Sequence, residues 1–355
     1  MKASDLLALR LSSQLLQTGH EKNVQEVVRH LGAMQAQDYG MAKWAIGMRS
    51  GESEAVVDDA INSGAILRTH LLRPTWHFVA ADDIHWMLEL TAPQIRVPLL
   101  SASARLGLDA KALHKSIIVI EQLLSVHKSM TREEIMQELV KHHVPVDHLK
   151  PAHIMMFAEM EQLVCNGPMR GRQFTYMLLQ ERVGEPTGFT KEKALHDLSL
   201  RYFTSHGPAT LSDFTWWSGL SVTNARVALE SSKQQLESTE TGGSVYWYRP
   251  QSIMAMNETV HLLPAFDEYL ISYKDRIAAI DLKHQPKAFT KNGIFNPVIL
   301  INGKAAGTWK RSFRKSKVVF ECTPFAEFNK RAKRLIEIKA EEYAAFIGLD
   351  AEIRF

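Results

Sequence analysis

The sequence predicts an α+β fold, mainly α: three tandem winged-helix units, each a helix-turn-helix plus β-wing, followed by C-terminal β-hairpins and a terminal helix. Three observations lead there. Groups of segments with apolar residues at helical spacing are each followed by a short stretch that alternates as strands do. Gly219-Leu220-Ser221, a tight turn between two helical segments, is a helix-turn-helix signature. The 355 residues, 45% hydrophobic and 23% charged, have ordinary globular composition and exceed one ordinary core. The expected units are residues 1–108, 109–186 and 187–285, with residues 286–355 packing on the third.

In the first unit, Val24 to Met34, Met41 to Met48 and Ser53 to Asn62 read as helices. Ile66 to Phe78 reads as a strand pair broken near Arg73-Pro74. In the second, Lys111 to His127 places Leu113, Ile117, Ile120, Leu123 and Leu124 at helical spacing. Thr131-Arg-Glu-Glu134 is a capping box opening another helix, through Ile135 and Leu139 to His142-His143. A third helix starts near Pro151, turns Met155, Met156, Met160, Leu163 and Val164 inward, and stops at Cys165-Asn166-Gly167-Pro168. Met169 to Gln180 then alternates as a strand, with Arg170 and Arg172 among Phe174, Tyr176 and Leu178.

The third unit repeats the plan. A helix spans Lys191 to Thr204, a short one Leu211 to Ser218, and Gly219-Leu220-Ser221 turns into a longer one, Val222 to Leu236. Val245 to Tyr248 is the wing strand. Beyond Pro250 the character changes. His261 to Phe266 is strand-like, and Val298 to Ile301 runs into Asn302-Gly303, a strong hairpin signal. A final helix, Phe325 to Phe346, turns Phe328, Leu335, Tyr343 and Phe346 inward and Lys330, Arg331, Lys333 and Arg334 outward.

Several classes are excluded or disfavoured. No apolar run approaches the ~20 residues of a membrane span, and Met1 to Asp5 leads into an amphipathic stretch without a signal-peptide core. The lone cysteines, Cys165 and Cys322, suit a reducing cytoplasm. His142, His143, His148 and His153 fit no zinc spacing, so neither a metal nor another cofactor is expected. The net charge of +3, from 42 basic and 39 acidic residues, permits a nucleic-acid partner without announcing one.

The segment with the most chemistry is Gln35-Ala36-Gln37-Asp38. On a helix, residues two apart lie roughly 200° apart, so the two glutamines meet one small molecule in a loop or at a helix terminus. Asp38-Tyr39-Gly40 marks such a break. Glutamine is no general base, but its carbonyl and amide can hold and orient a water. Two polar residues satisfying a helix end is the plainer reading, and Asp38 reads as a turn residue.

This segment, together with Leu72-Arg73-Pro74-Thr75-Trp76-His77, Leu263-Pro264-Ala265-Phe266-Asp267-Glu268-Tyr269-Leu270 and Gly307-Thr308-Trp309, resembles the AlkZ/YcaQ family. These are bacterial tandem winged-helix DNA glycosylases, and the matching segments run in order through nearly the whole chain. The resemblance implies that Gln35 and Gln37 form the family's catalytic triplet around Ala36, in its two-glutamine branch. It also implies excision of bulky or cross-linked N7-alkyl purines. Such a purine is already cationic, so its departure requires no general acid. What remains is an oxocarbenium-like sugar and a positioned water. The lesion is then read in place, because full flipping needs a snug pocket that a bulky group would not enter.

Other residues carry two readings each. Trp76 and His77 are a core pair or support for the site, and Asp38 adds charge if it turns inward. Asp267 and Glu268, with Tyr273, Lys274, Asp275 and Arg276, form a salt-bridged face or a DNA-facing cluster. Arg170, Arg172 and the run Lys310, Arg311, Arg314, Lys315 and Lys317 are candidate phosphate contacts, or charges protecting an edge strand. The expected protein is thus a monomeric cytoplasmic enzyme acting on double-stranded DNA. The alternative is a winged-helix binding or regulatory protein, which would more commonly carry one such unit with a dimerisation or ligand module.

Overall fold

The computed structural model describes residues 1–17, 22–186, 188–250 and 259–355, so residues 187 and 251–258 of the expected third unit lie outside the described residues. The first unit opens with α1 (Ala3–Ser13), α2 (Val24–Leu31), β1 (Met34–Gln35), α3 (Tyr39–Ser50) and α4 (Glu54–Ser63). Two strands, β2 (Ile66–Leu71) and β3 (Thr75–Ala80), complete an antiparallel sheet of order β1-β3-β2. Each helix has a local reason for its start. Asn23 caps α2 through a box with Glu26, and Asp38 caps α3 by accepting the Met41 N–H at 3.1 Å. Gly32 turns the chain after Leu31, which leaves Met34 to the sheet rather than to the helix the spacing suggests.

Apolar spacing alone leaves 84–105 unassigned, yet it forms α5 (Ile84–Arg105) with Pro93 and Pro98 inside. Prolines read as helix breakers. Here packing against β2 and two helices of the later units overrides them.

The second unit has α6 (Ala110–His127), β4 (Met130–Thr131), α7 (Arg132–Lys141) and α8 (Lys150–Met160). Its sheet has the order β4-β6-β5, with β5 (Val164–Asn166) and β6 (Thr175–Leu178). The capping box is present: Thr131 and Glu134 exchange side-chain and backbone hydrogen bonds of 2.7 and 3.2 Å. Two expectations shift. The third helix ends at Met160, because Gln162 takes a positive φ and Val164 and Cys165 pair with Leu178 and Met177 instead. Of Met169 to Gln180 only Thr175–Leu178 is strand; Arg170 and Gln173 close a tight turn before it.

After α9 (Leu179–Val183) come α10 (Lys191–Ser205), α11 (Leu211–Ser218), α12 (Val222–Ser232) and the hairpin β7 (Glu237–Thr241) with β8 (Ser244–Tyr248). The remaining chain builds a five-stranded sheet of order β13-β12-β11-β10-β9. Its members are β9 (Val260–Leu263), β10 (Val298–Ile301), β11 (Lys304–Arg314), β12 (Lys317–Pro324) and β13 (Asp350–Arg354). Between β9 and β10 lie α13 (Glu268–Ile271) and α14 (Gln285–Ala288); α15 (Lys330–Phe346) joins β12 to β13. Asn302 and Gly303 both take positive φ at the β10–β11 turn, as a tight hairpin of this hand requires. The chain continues past its last helix: β13 pairs with β12 in parallel.

The hydrophobic core explains how these parts cohere. One cluster joins the second and third units through α5 and β2. Another merges the first unit with the C-terminal sheet: Trp44 meets Tyr343 and Phe346 with ring centroids 5.1 and 5.3 Å apart. The residues 286–355 therefore seal the first unit as well as extending the third through β9. Gly47 permits this, since a Cβ there would lie 2.4 Å from the Phe346 ring.

The helix-turn-helix of the third unit sits directly on the β2–β3 hairpin. Gly219 has φ +69°, and a Cβ added to it would lie 2.2 Å from the Leu72 carbonyl oxygen. Gly219→Ala therefore meets both the left-handed penalty and a backbone clash. It should cost about 2 kcal/mol or more, read as a lower urea midpoint at unchanged m-value; an unchanged midpoint would refute this contact.

Candidate active site

The Gln35 to Gly40 segment is a strand that turns at once into a helix. Gln35 pairs with His77 across β1 and β3, and the Ala36 N–H donates to the Trp76 carbonyl at 2.7 Å. Asp38 then serves as the α3 cap. The strand ends between the glutamines, so they part company: Gln35 is buried and Gln37 exposed. Asp38 is exposed too, with its carboxylate on the Met41 N–H rather than turned inward.

Of two consecutive buried acidic side chains, Glu268 holds this segment from behind. The Gln35 backbone N–H donates to Glu268 Oε1 at 2.7 Å. Glu268 Oε2 accepts from the Trp217 indole at 3.2 Å and from the Ser272 hydroxyl, and His206 Nε2 lies 3.6 Å away. Burial opposes the Glu268 charge. The neighbouring His206 imidazole, the Ser272 hydroxyl and the Gln35 N–H more than offset it and hold the carboxyl down at about 2. Asp267 instead makes a two-pronged ion pair with Arg49, at 2.8 and 2.9 Å, and both are fully buried. It is a structural anchor, closed off from any open site.

Three arginines surround the turn. Arg68 donates to the Ala36 carbonyl from Nε and Nη2, at 3.2 and 2.9 Å, with its guanidinium over Trp76 and Phe174. Arg73 reaches Gln35 Oε1 at 3.3 Å and lies over Trp216. Arg311 Nη2 lies 3.2 Å from where a Gly40 side chain would begin. Burial lowers the pKa of each, so all three are cations stripped of part of their hydration. His77 is buried, its Nδ1–H donates to the Thr75 carbonyl at 2.9 Å, and it is pushed down to about 4 by burial and Arg73, which leaves it neutral. Trp76 is half-buried between Arg68 and His70.

Arg68 and Arg73 are absent from the candidate residues read from the sequence, and Glu268 figures there only in a salt-bridged face or DNA-facing cluster rather than as the buried support of Gln35. Arg73-Pro74 at a hairpin tip was a usable signal, because it sets a cation at a fixed turn. Nothing local marks Arg68, a cation within an apolar strand, as a neighbour of Ala36.

The expected phosphate contacts divide. Lys310, Arg314, Lys315 and Lys317 are exposed on the β11–β12 hairpin, whereas Arg311 is turned in. Beyond Thr308, β11 pairs with β12 alone while β13 covers the far side of β12 from Lys317 to Glu321, so here β11 presents a free edge. Arg170 is tied to Glu134 at 2.7 Å and to the Ser129 carbonyl, while Arg172 is exposed. Lys274 is exposed. Arg276 donates to the Leu270 carbonyl and packs over Trp216, Phe289 and Phe295; burial brings it down to about 10. It is thus largely a packing residue.

Among the described residues no three His, Cys, Asp or Glu side chains gather as metal ligands would, and no helix is long and apolar enough to cross a membrane. Cys165 and Cys322 are buried free thiols, pushed up to about 12 and 11 by burial.

The family model "DNA glycosylase AlkZ-like" matches residues 28–346. An interstrand DNA cross-link repair glycosylase of Streptomyces sahachiroi is 22% identical, with 98% of each chain covered. The solved structure of the Streptomyces sahachiroi DNA glycosylase AlkZ superposes with a TM-score of 0.81 at 19% identity, covering 100% of both chains.

The ionised Glu268 makes stability depend on pH. Between the ordinary 4.5 and about 2, the unfolded chain takes up a proton that the folded carboxyl refuses. Its stabilisation is therefore present above about 4.5 and is lost as pH falls toward 2. Urea midpoints of Glu268→Gln should be lower than the parent's at neutral pH and should change less across that window. Parallel profiles for the two proteins would mean that the folded state holds no such charge.

Proposed function

Because this chain belongs to the DNA glycosylase AlkZ-like family, we propose that it is a monofunctional enzyme, acting as a monomer on duplex DNA, that hydrolyses the N-glycosidic bond of N7-alkylated purines. Bulky and cross-linked adducts are included, as the name of the Streptomyces sahachiroi relative suggests for that protein. The three helix-and-hairpin units are read as winged helices that present the DNA to the Gln35–Gln37 turn.

One observation carries the chemistry: the carboxylates next to this turn are already committed. Asp38 caps a helix, Glu268 is filled by protein donors, and Asp267 is paired with Arg49. Such a site suits a leaving base that needs no proton, which N7 alkylation provides by making the purine cationic. As the C1′–N9 bond breaks, the base takes the electron pair and departs neutral, and the sugar becomes oxocarbenium-like. The exposed Gln37 amide orients the attacking water. Gln35, fixed through its backbone by Glu268 and through its side chain by Arg73, holds the geometry behind it. The surrounding arginines receive the phosphates that flank the lesion, neutralising charge that would otherwise oppose the cationic sugar.

Base release from N7-alkylated duplexes carrying small and bulky adducts, with enzyme in excess, tests this reading. Gln35→Ala and Gln37→Ala should each slow release on the order of 10²-fold while DNA affinity changes little. The double variant should be scarcely slower than the worse single one, because Gln35 acts only through the water that Gln37 orients. Gln37→Asp should retain activity, since a carboxylate also orients water and faces the developing charge. Parental rates in the double alanine variant would sink the catalytic assignment of the two glutamines, whereas no base release by the parent itself would return the chain to the class of DNA-binding proteins without catalysis.

DNA affinity gives a separate check. If Lys310, Arg314, Lys315 and Lys317 touch phosphates, replacing them with alanine should weaken binding to damaged and undamaged duplex alike. The slope of log K against log salt should flatten by about 0.9 for each phosphate that is no longer neutralised. An unchanged slope would place the phosphate-binding surface elsewhere.

A further inference from the structure

An open cavity of about 730 Å³ lies between the first unit's sheet and the second unit. That volume falls within the range of small-ligand sites, roughly 300–1,000 Å³. Arg68 and Trp76 supply one wall; Arg132 at the start of α7, with Arg172 and Phe174 before β6, supply others. The cavity adjoins the glutamine turn, since the Ala36 N–H donates to the Trp76 carbonyl and the Ala36 carbonyl accepts from Arg68.

The lining has a definite chemistry. The Arg68 guanidinium sits 4.3 Å from the Trp76 ring centroid and 5.1 Å from that of Phe174, so the Phe174 ring is braced from within. Tyr39 meets the same ring edge-on at 4.9 Å. Phe174 nevertheless remains 41% exposed. Arg132 and Arg172 are exposed, and no described residue forms an ion pair with either; Glu133 is the one carboxylate among the described residues lining the cavity. A braced aromatic ring beside two uncommitted guanidinium groups matches a planar base carrying a phosphate.

We propose that this cavity takes one unstacked nucleotide of the DNA, with its base against the outer face of Phe174 and its phosphate at Arg132 and Arg172. The nucleotide is a neighbour or partner of the lesion, which itself stays at Gln37. This rests on the reading that the glutamine turn meets DNA. Trp76 is no stacking platform, because His70 and Arg68 flank its ring. Phe174 alone carries that part.

The test compares a perfect duplex with the same duplex carrying one bulged 2-aminopurine, by fluorescence titration and competition. The parent protein should bind the bulged duplex roughly tenfold or more tightly, with the probe's fluorescence quenched by stacking. Phe174→Ala should remove both the preference and the quenching while perfect-duplex affinity stays within about twofold. Phe174→Leu keeps apolar bulk against Arg68 and Tyr39 and should give the same result, which separates loss of stacking from loss of packing. Arg132→Gln should weaken the bulged complex selectively. Equal affinity of the parent for both duplexes, or equal losses on both in the Phe174 variants, would overturn this proposal and leave the proposed glycosylase reading standing. Binding to neither duplex would overturn both.

Discussion

The position of the candidate turn depends on two adjacent carboxylates in the interior. Asp267 and Glu268 begin a four-residue helix, and their side chains diverge to opposite partners: Arg49 of α3 for one, the Gln35 N–H and the Trp217 indole for the other. Buried ionised groups are tolerated only when every oxygen is paired or hydrogen-bonded. That requirement makes the pair selective about structure. Few arrangements of α3, β1 and α11 satisfy both carboxylates, so the first and third units are brought to one relation around them. Gln35 is fixed through its main chain, the one part of a residue that substitution leaves in place.

Charge on the outer side of the turn runs the other way. Arg68, Arg73 and Arg311 are positive and partly desolvated, while His77, close behind, is neutral. A collar of cations is a poor setting for a developing positive sugar unless anions arrive with the substrate. On the proposed reading the DNA brings them. The site is then electrostatically complete only in the complex, which ties turnover to the presence of a phosphate backbone and disfavours reaction with a free alkylated nucleoside.

Much of this architecture is readable from residue order because it rests on local rules. The Thr131–Glu134 box, the Asn302-Gly303 turn and the Gly219 turn between α11 and α12 each need only a few neighbours. What escapes is decided at a distance. α5 survives two prolines because several elements pack on it. β13 is short and finds its parallel partner only across α15. The opposite burial of Gln35 and Gln37 depends on where β1 stops and on a carboxylate 233 residues away. The cations are the hardest case: Arg276 and Lys274 look alike in a string, and only packing shows that one lies among aromatic rings and the other in solvent.

Phe346 lying in the space left by Gly47 has a bearing on how the protein is made. Domains commonly fold in the order in which they leave the ribosome. In this chain the first unit shares its core with Phe320, Tyr343 and Phe346, so its α3 helix has no finished surface to pack on until nearly 300 further residues exist. The part translated first is among the last to be completed. The packing around the helix that follows the glutamine turn is therefore finished only when the last helix joins it.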